Sequence, residues 1–196
     1  MPEPPSAQTL VALLRAVNVS GQRRVPMADL RSSLEDLGLR CVRTYLQSGN
    51  VIFDAPEDLA AGSDERIAAS GSAAITAAIK ARIARDFGHD VEVLVVPSRA
   101  LLQIAAANPF VGTPGVDERW LHVTFLFGPP AGKARDLALP AADGEHAVIA
   151  GDVVYLLLPH GYGRTKLTNA YFEKAFGTAA TTRNWRTVPA LRELSS

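Results

Sequence analysis

The sequence predicts an α+β protein built from two ferredoxin-like β-α-β-β-α-β halves, an α/β sandwich with an added C-terminal helix. Three observations carry this. Short β-branched and apolar runs alternate with stretches of helical period. Each half holds a strand–turn–strand unit, at about residues 42–54 and 146–158. The order of elements in residues 1–97 recurs in residues 98–196, although the halves share no obvious residue-level repeat. Those two ranges are the expected N- and C-terminal domains.

Residues 9–15 (TLVALLR) fit a buried strand or a helix fragment by periodicity alone, and the loop residues that follow, Asn18, Ser20 and Gly21, favour the strand. Pro26 is expected at the first position of a helix, where a missing N–H costs nothing. Met27, Leu30, Leu34 and Leu37 recur at helical spacing, and Gly38 ends the run. A hairpin follows, with strands near 42–46 and 50–54 and a polar turn between them. Residues 55–71, rich in Ala, Asp, Ser and Gly, read as a surface loop. Ser72 caps a helix whose stripe is Ile75, Ile79 and Ile83, ended by Gly88, and residues 91–96 form a β-branched strand.

The second half opens with a helix from Ser98 to about Ala107, stopped by Asn108-Pro109. A strand at 121–127, a short helix at about 133–138 and a hairpin turning at Gly151-Asp152 come next. A helix at about 166–176, a strand at about 179–183 and a terminal helix holding Val188, Leu191 and Leu194 complete the chain. Pro189 fits that helix only within its first turn.

Lys+Arg and Asp+Glu both number 20, so no overall basic field exists to collect nucleic acid. The single cysteine, Cys41, excludes an internal disulfide and fits a reducing compartment. Arg40 and Arg43 beside it would lower a thiol pKa, but a buried structural cysteine at a strand start is the simpler reading. Residues 1–6 lack the basic-then-apolar pattern of a signal peptide, and no apolar run approaches the roughly 20 residues that span a bilayer. A cytoplasmic protein away from membranes is expected. The four histidines have no Cys or His partners at zinc spacing, and neither a G-x-S-x-G elbow nor a Ser-His-Asp or Cys-His set is evident. No metal and no cofactor is therefore expected. Trp120, Tyr155, Phe172, Phe176 and Trp185 read as core. Tyr45 and Phe53 could stack bases on a sheet face, but the sequence pattern of base-stacking domains is absent.

The predicted topology creates two polar clusters. Strands one and three of each half should lie antiparallel and adjacent, so the end of the first strand meets the hairpin turn. That brings Arg15, Asn18 and Arg23 beside Gln47, Ser48 and Asn50, next to a helix N-terminus suited to an anion. In the second half, the ends of strands three and four should place Gly161-Tyr162-Gly163-Arg164-Thr165-Lys166 near Arg183 and Asn184. Thr165 is expected to cap the next helix, and Lys166 and Arg183 add charge. The segment outlines phosphate-binding chemistry without being a Walker A sequence. Each residue alone has a plain reading: Arg15 as a surface charge, the turn polars as partners of their own backbone, the glycines as turn glycines.

The assembled motifs resemble the bacterial family called domain of unknown function 1697. The resemblance rests on LLRAVNVSGQRRVPMADLRSSLEDLG, VRTYLQSGNVIF, the LHVTFL strand with its Gly-Pro-Pro, and GRTKLTNAYFEKAFG followed by TTRNWRTV. It implies an α/β sandwich of ferredoxin-like halves with no established activity. The family motif carries over as Arg15, Asn18, Pro26, Gln47, Ser48, Gly49, Asn50, Lys166, Thr168, Asn169, Arg183, Asn184 and Thr187. This chain departs from the Gly-Ile-Asn-Val-Gly-Gly-like loop of the family, having Ala16-Val17-Asn18-Val19-Ser20-Gly21 instead. Fewer glycines narrow the backbone conformations open to that loop.

The reading these residues support is a binding protein for a small anionic or phosphorylated ligand, held by Arg15, Asn18, Arg23, Gln47, Ser48, Asn50, Thr165, Lys166, Arg183 and Asn184. An enzyme acting on such a ligand is the alternative, against which stands the lack of a nucleophile or acid–base pair; Asp29 and Glu35 have no assigned task. A nucleic-acid-binding module is the third reading, opposed by the neutral charge, and protein scaffolding is the fourth.

Overall fold

The computed structural model describes residues 9–19, 23–55, 73–130 and 139–195. Its contacts divide the chain into two compact units, Met1–Ala100 with Leu191–Ser196, and Leu101–Ala190. Each unit carries one four-stranded antiparallel sheet.

In the first unit the order is β1 (Thr9–Leu14), α1 (Met27–Glu35), β2 (Arg40–Tyr45), β3 (Asn50–Asp54), α2 (Ala73–Phe87) and β4 (Val93–Pro97). The strands lie in the order β2-β3-β1-β4, with Leu13 opposite Asn50 and Leu14 opposite Val93. Leu10, Leu14, Val51, Phe53, Val93 and Val95 pack with Leu30 and Leu34 of α1 and with Ile75, Ile79 and Ile83 of α2. The alternate residues Val11, Leu13, Ile52 and Val96 are buried as well. A strand buried on both faces must be apolar throughout, which is why TLVALL shows no period of two. α1 starts at Met27, with Pro26 as its N-cap in extended conformation and not as its first helical residue. The Pro26 carbonyl still closes the first turn, accepting from the Leu30 N–H at 2.9 Å. Gly38, at φ 96°, ends the helix as expected.

The second unit runs through α3 (Ser98–Ala106), a short 3₁₀ turn (Glu118–Trp120), β5 (Leu121–Leu126), β6 (His146–Ala150), β7 (Val153–Leu157), α4 (Asn169–Phe176), β8 (Ala180–Asn184) and α5 (Thr187–Leu194). α3 begins just before the unit boundary and α5 ends just after it. The sheet order β6-β7-β5-β8 repeats that of the first unit. Val154, Leu156, Leu126 and Ala180 pack against Phe172 and Phe176 of α4. The chain is thus α+β with two similar halves and five helices among the described residues. Pro189 falls in the first turn of α5, the one place where it fits. The helix expected at about 133–138, the Ser72 cap, residues Ser20 and Gly21, and all of the 55–71 loop beyond Ala55 lie outside the described residues.

α4 begins three residues later than its sequence pattern predicts, and its cap differs. Thr168 is the N-cap, accepting from the Tyr171 N–H. Thr165 instead donates to buried Glu145 at 2.9 Å and accepts from the Leu167 N–H at 3.0 Å. Its hydroxyl thus serves the loop before the helix, donating to Glu145 and accepting from a backbone N–H, and the helix start falls to Thr168.

Candidate functional site

The first predicted juxtaposition is present. The Leu14 N–H donates to the Gly49 carbonyl at 2.8 Å, so the hairpin turn sits against the end of β1. Asn18 fastens the two loops: its Nδ2 donates to the Val25 carbonyl at 2.9 Å and the Gln47 carbonyl at 2.8 Å, and its Oδ1 accepts from the Val25 N–H at 2.9 Å. Asn50 is fully buried, its Nδ2 donating to the Tyr45 carbonyl and to Ser48 Oγ. Asn18 thus ties its own loop to the turn, and Asn50 braces the turn from within. Arg15 donates its backbone N–H to the Glu92 carbonyl.

This corner is also where the backbone is most constrained. Among the described residues, five other than glycine have φ in the left-handed region. Four of them are here: Ala16 (φ 54°), Asn18 (55°), Arg23 (48°) and Leu46 (58°). Such conformations persist only where the surroundings over-determine them. The framework presents Arg23, Arg24 and Gln47 as exposed side chains, with Val19 and Leu46 exposed beside them. No Asp or Glu occurs between Arg15 and Ala28 or between Cys41 and Phe53.

In the second unit the strand ends also meet, through a network that the sequence did not disclose. Tyr162 Oη donates to Thr182 Oγ1 at 3.2 Å, Thr182 Oγ1 donates to Asn169 Oδ1 at 2.6 Å, and the Asn169 N–H donates back to Tyr162 Oη at 3.2 Å. Thr124 Oγ1 lies 2.7 Å from Thr182 Oγ1. Since the Thr182 proton goes to Asn169, Thr124 must be the donor, and both Thr182 lone pairs are filled. Tyr162 stacks on His122, ring centroids 5.5 Å apart. Burial pushes the His122 pKa down, a tendency opposed by its contact with the Trp120 carbonyl. The signal available in sequence was the alternation in LHVTFL, where His122 and Thr124 share one strand face.

That alternation separates the residues predicted to cluster here. Arg183 lies one position from Thr182 and so points to the other sheet face, away from Tyr162. It is buried, donates to Thr181 Oγ1 at 2.8 Å and the Thr182 carbonyl at 3.1 Å, and burial holds its pKa down at about 10. Asn184 Oδ1 accepts from the Arg186 N–H, shaping the turn into α5. The Gly161 and Arg164 N–H groups are engaged within the loop, with the Leu158 and Gly161 carbonyls. Lys166 is exposed.

A groove of about 500 Å³ lies elsewhere, at the opposite end of the first sheet, lined by Thr9, Glu35, Cys41, Arg43, Asp54 and Ser195 among others. Cys41 is exposed there, not buried, and stands at φ 52° where the β2–β3 register shifts. A hydrogen bond with Asp54 pushes its thiol pKa up, outweighing the arginines beside it. Phe53 is fully buried and so is no platform for bases. Among the described residues there is no group of three metal-ligating side chains, and no helix is long and apolar enough to cross a membrane.

The fold and these motif positions define a two-unit α+β protein, and comparison with known proteins gives its family. Residues 7–155 match the family model described as Protein of unknown function (DUF1697), and the chain belongs to that family. A conserved bacterial protein from Streptococcus pneumoniae has a similar structure: TM-score 0.66 at 19% identity, covering 96% of this chain and 99% of that one. No curated protein matches.

Proposed function

We propose that the protein binds a small anionic ligand at the corner where the 15–25 loop meets the β2–β3 turn. One observation carries the reading. Four of the five left-handed non-glycine residues gather at this corner, around exposed Arg23, Arg24 and Gln47 and without a neighbouring carboxylate in either segment. Strain maintained beside cations, with no carboxylate in either segment, fits a preformed anion site. The first turn of α1 lies beside it; its N-cap Pro26 offers no side-chain acceptor to the N–H groups there, while Asp29 places one carboxylate in the same turn.

The test is a thermal-shift titration of the full chain with inorganic phosphate, nucleotides and sugar phosphates. At least one should raise the melting temperature saturably, and the paired change Arg23→Ala and Arg24→Ala should remove the effect while leaving the unliganded melting temperature unchanged. A flat response across the panel, or an equal response in the variant, overturns the reading.

A further inference from the structure

We propose that β6 is a docking edge for a second copy of this chain, joined antiparallel, strand to strand. Four strands end the two sheets, and three are blunted among the described residues. β2 carries Arg40, Arg43 and an irregular register around left-handed Cys41. β4 is buried along its whole length and ends in Pro97, which has no N–H. On β8 the Ala180 N–H is taken by Glu173 Oε1, and Ala180, Thr181 and Arg183 are buried. Charge, bulges, proline and cover are the devices by which proteins guard sheet edges.

β6, HAVIA, has none of them among the described residues. Its alternate residues His146, Val148 and Ala150 are exposed, Val148 to 40%. Gly151, at φ 59°, makes the first position of a two-residue turn, so Ala150 and Val153 form the hydrogen-bonded pair beside it. Alternation from that pair turns the backbone N–H and C=O groups of Ala147 and Ile149 outward, away from β7.

This edge is self-complementary. On a two-fold axis through Val148, Ala147 of one copy opposes Ile149 of the other, and each such pair exchanges two N–H···O bonds. Val148 meets Val148, and His146 meets Ala150, so no like charges are set opposite one another. Glu145, the nearest acid before the strand, is buried on Thr165 and the Ala142 N–H and brings no repulsion. Phe110 lies 6.5 Å from the His146 ring and extends the apolar surface. Two four-stranded sheets would become one continuous sheet.

Sedimentation equilibrium of the full chain, from low micromolar to near-millimolar concentration, should show reversible pairing. Val148→Lys and Val148→Glu, both at an exposed position, should each weaken it by about tenfold or more, and mixing the two variants should restore it. A single-chain mass at every concentration, a pairing constant that neither variant moves, or a chain that stays single yet takes up a separate β-strand peptide each overturns the proposal.

Discussion

A Cβ added to Gly49 would stand 2.5 Å from Val17 Cγ2 and 2.7 Å from Leu14 Cβ, and the residue holds φ 76°. Steric overlap and backbone strain act together there, so Gly49→Ala should destabilise the fold by about 3 kcal/mol or more, read from urea unfolding. His122 gives a pH signature. Its pKa is depressed in the folded chain, so the unfolded chain takes up the proton first as pH falls. Its contribution is intact above the ordinary histidine value of about 6.5 and is lost below it, so His122→Phe should flatten the fall in melting temperature between neutral and mildly acidic pH. At this scale the sequence was half legible. The excess of hydrogen-bonding groups in Gln47-Ser48-Gly49-Asn50 was plain, but a side-chain amide that meets backbone carbonyls looks the same in sequence as one that meets a ligand. Only the geometry showed that Asn18 joins the two loops and that Asn50 braces its own turn.

Among the elements, periodicity and breakers located the strands and helices well, because Gly38, Gly88 and Gly177 stand at their ends with positive φ. Helix starts were less legible. Thr165 and Thr168 are equivalent as caps in sequence; in the fold Thr168 is the cap, while Thr165 is tied to Glu145, twenty residues away in the chain. Thr168→Ala should therefore cost about 1 kcal/mol through loss of the cap, measured as a shift in denaturant midpoint. Thr165→Val should also destabilise, by leaving Glu145 short of a donor. The same limit explains Arg183. Strand ends were predicted to converge and do, but a shift of one residue along a strand moves a side chain to the other face.

For the whole molecule, the repeated order of elements made the two similar halves readable from the chain alone. The terminal segment was not so readable, since nothing local assigns Leu191–Ser196 to the first unit. Leu191 is fully buried, and Ser195 lines the groove beside Thr9 and Asp54. Leu191→Ala should lower stability by about 3 kcal/mol, and hydrogen exchange should show the loss in β1 and β3.

Cys41 gives this chain a natural attachment point. It is exposed, it is the only thiol in the sequence, and it stands on an edge strand whose backbone already departs from regular pairing. Because Asp54 holds its proton, a maleimide dye should couple slowly at neutral pH and readily once the solution is made alkaline. One fluorophore would then report from the rim of the first sheet with no cysteine engineered into the protein.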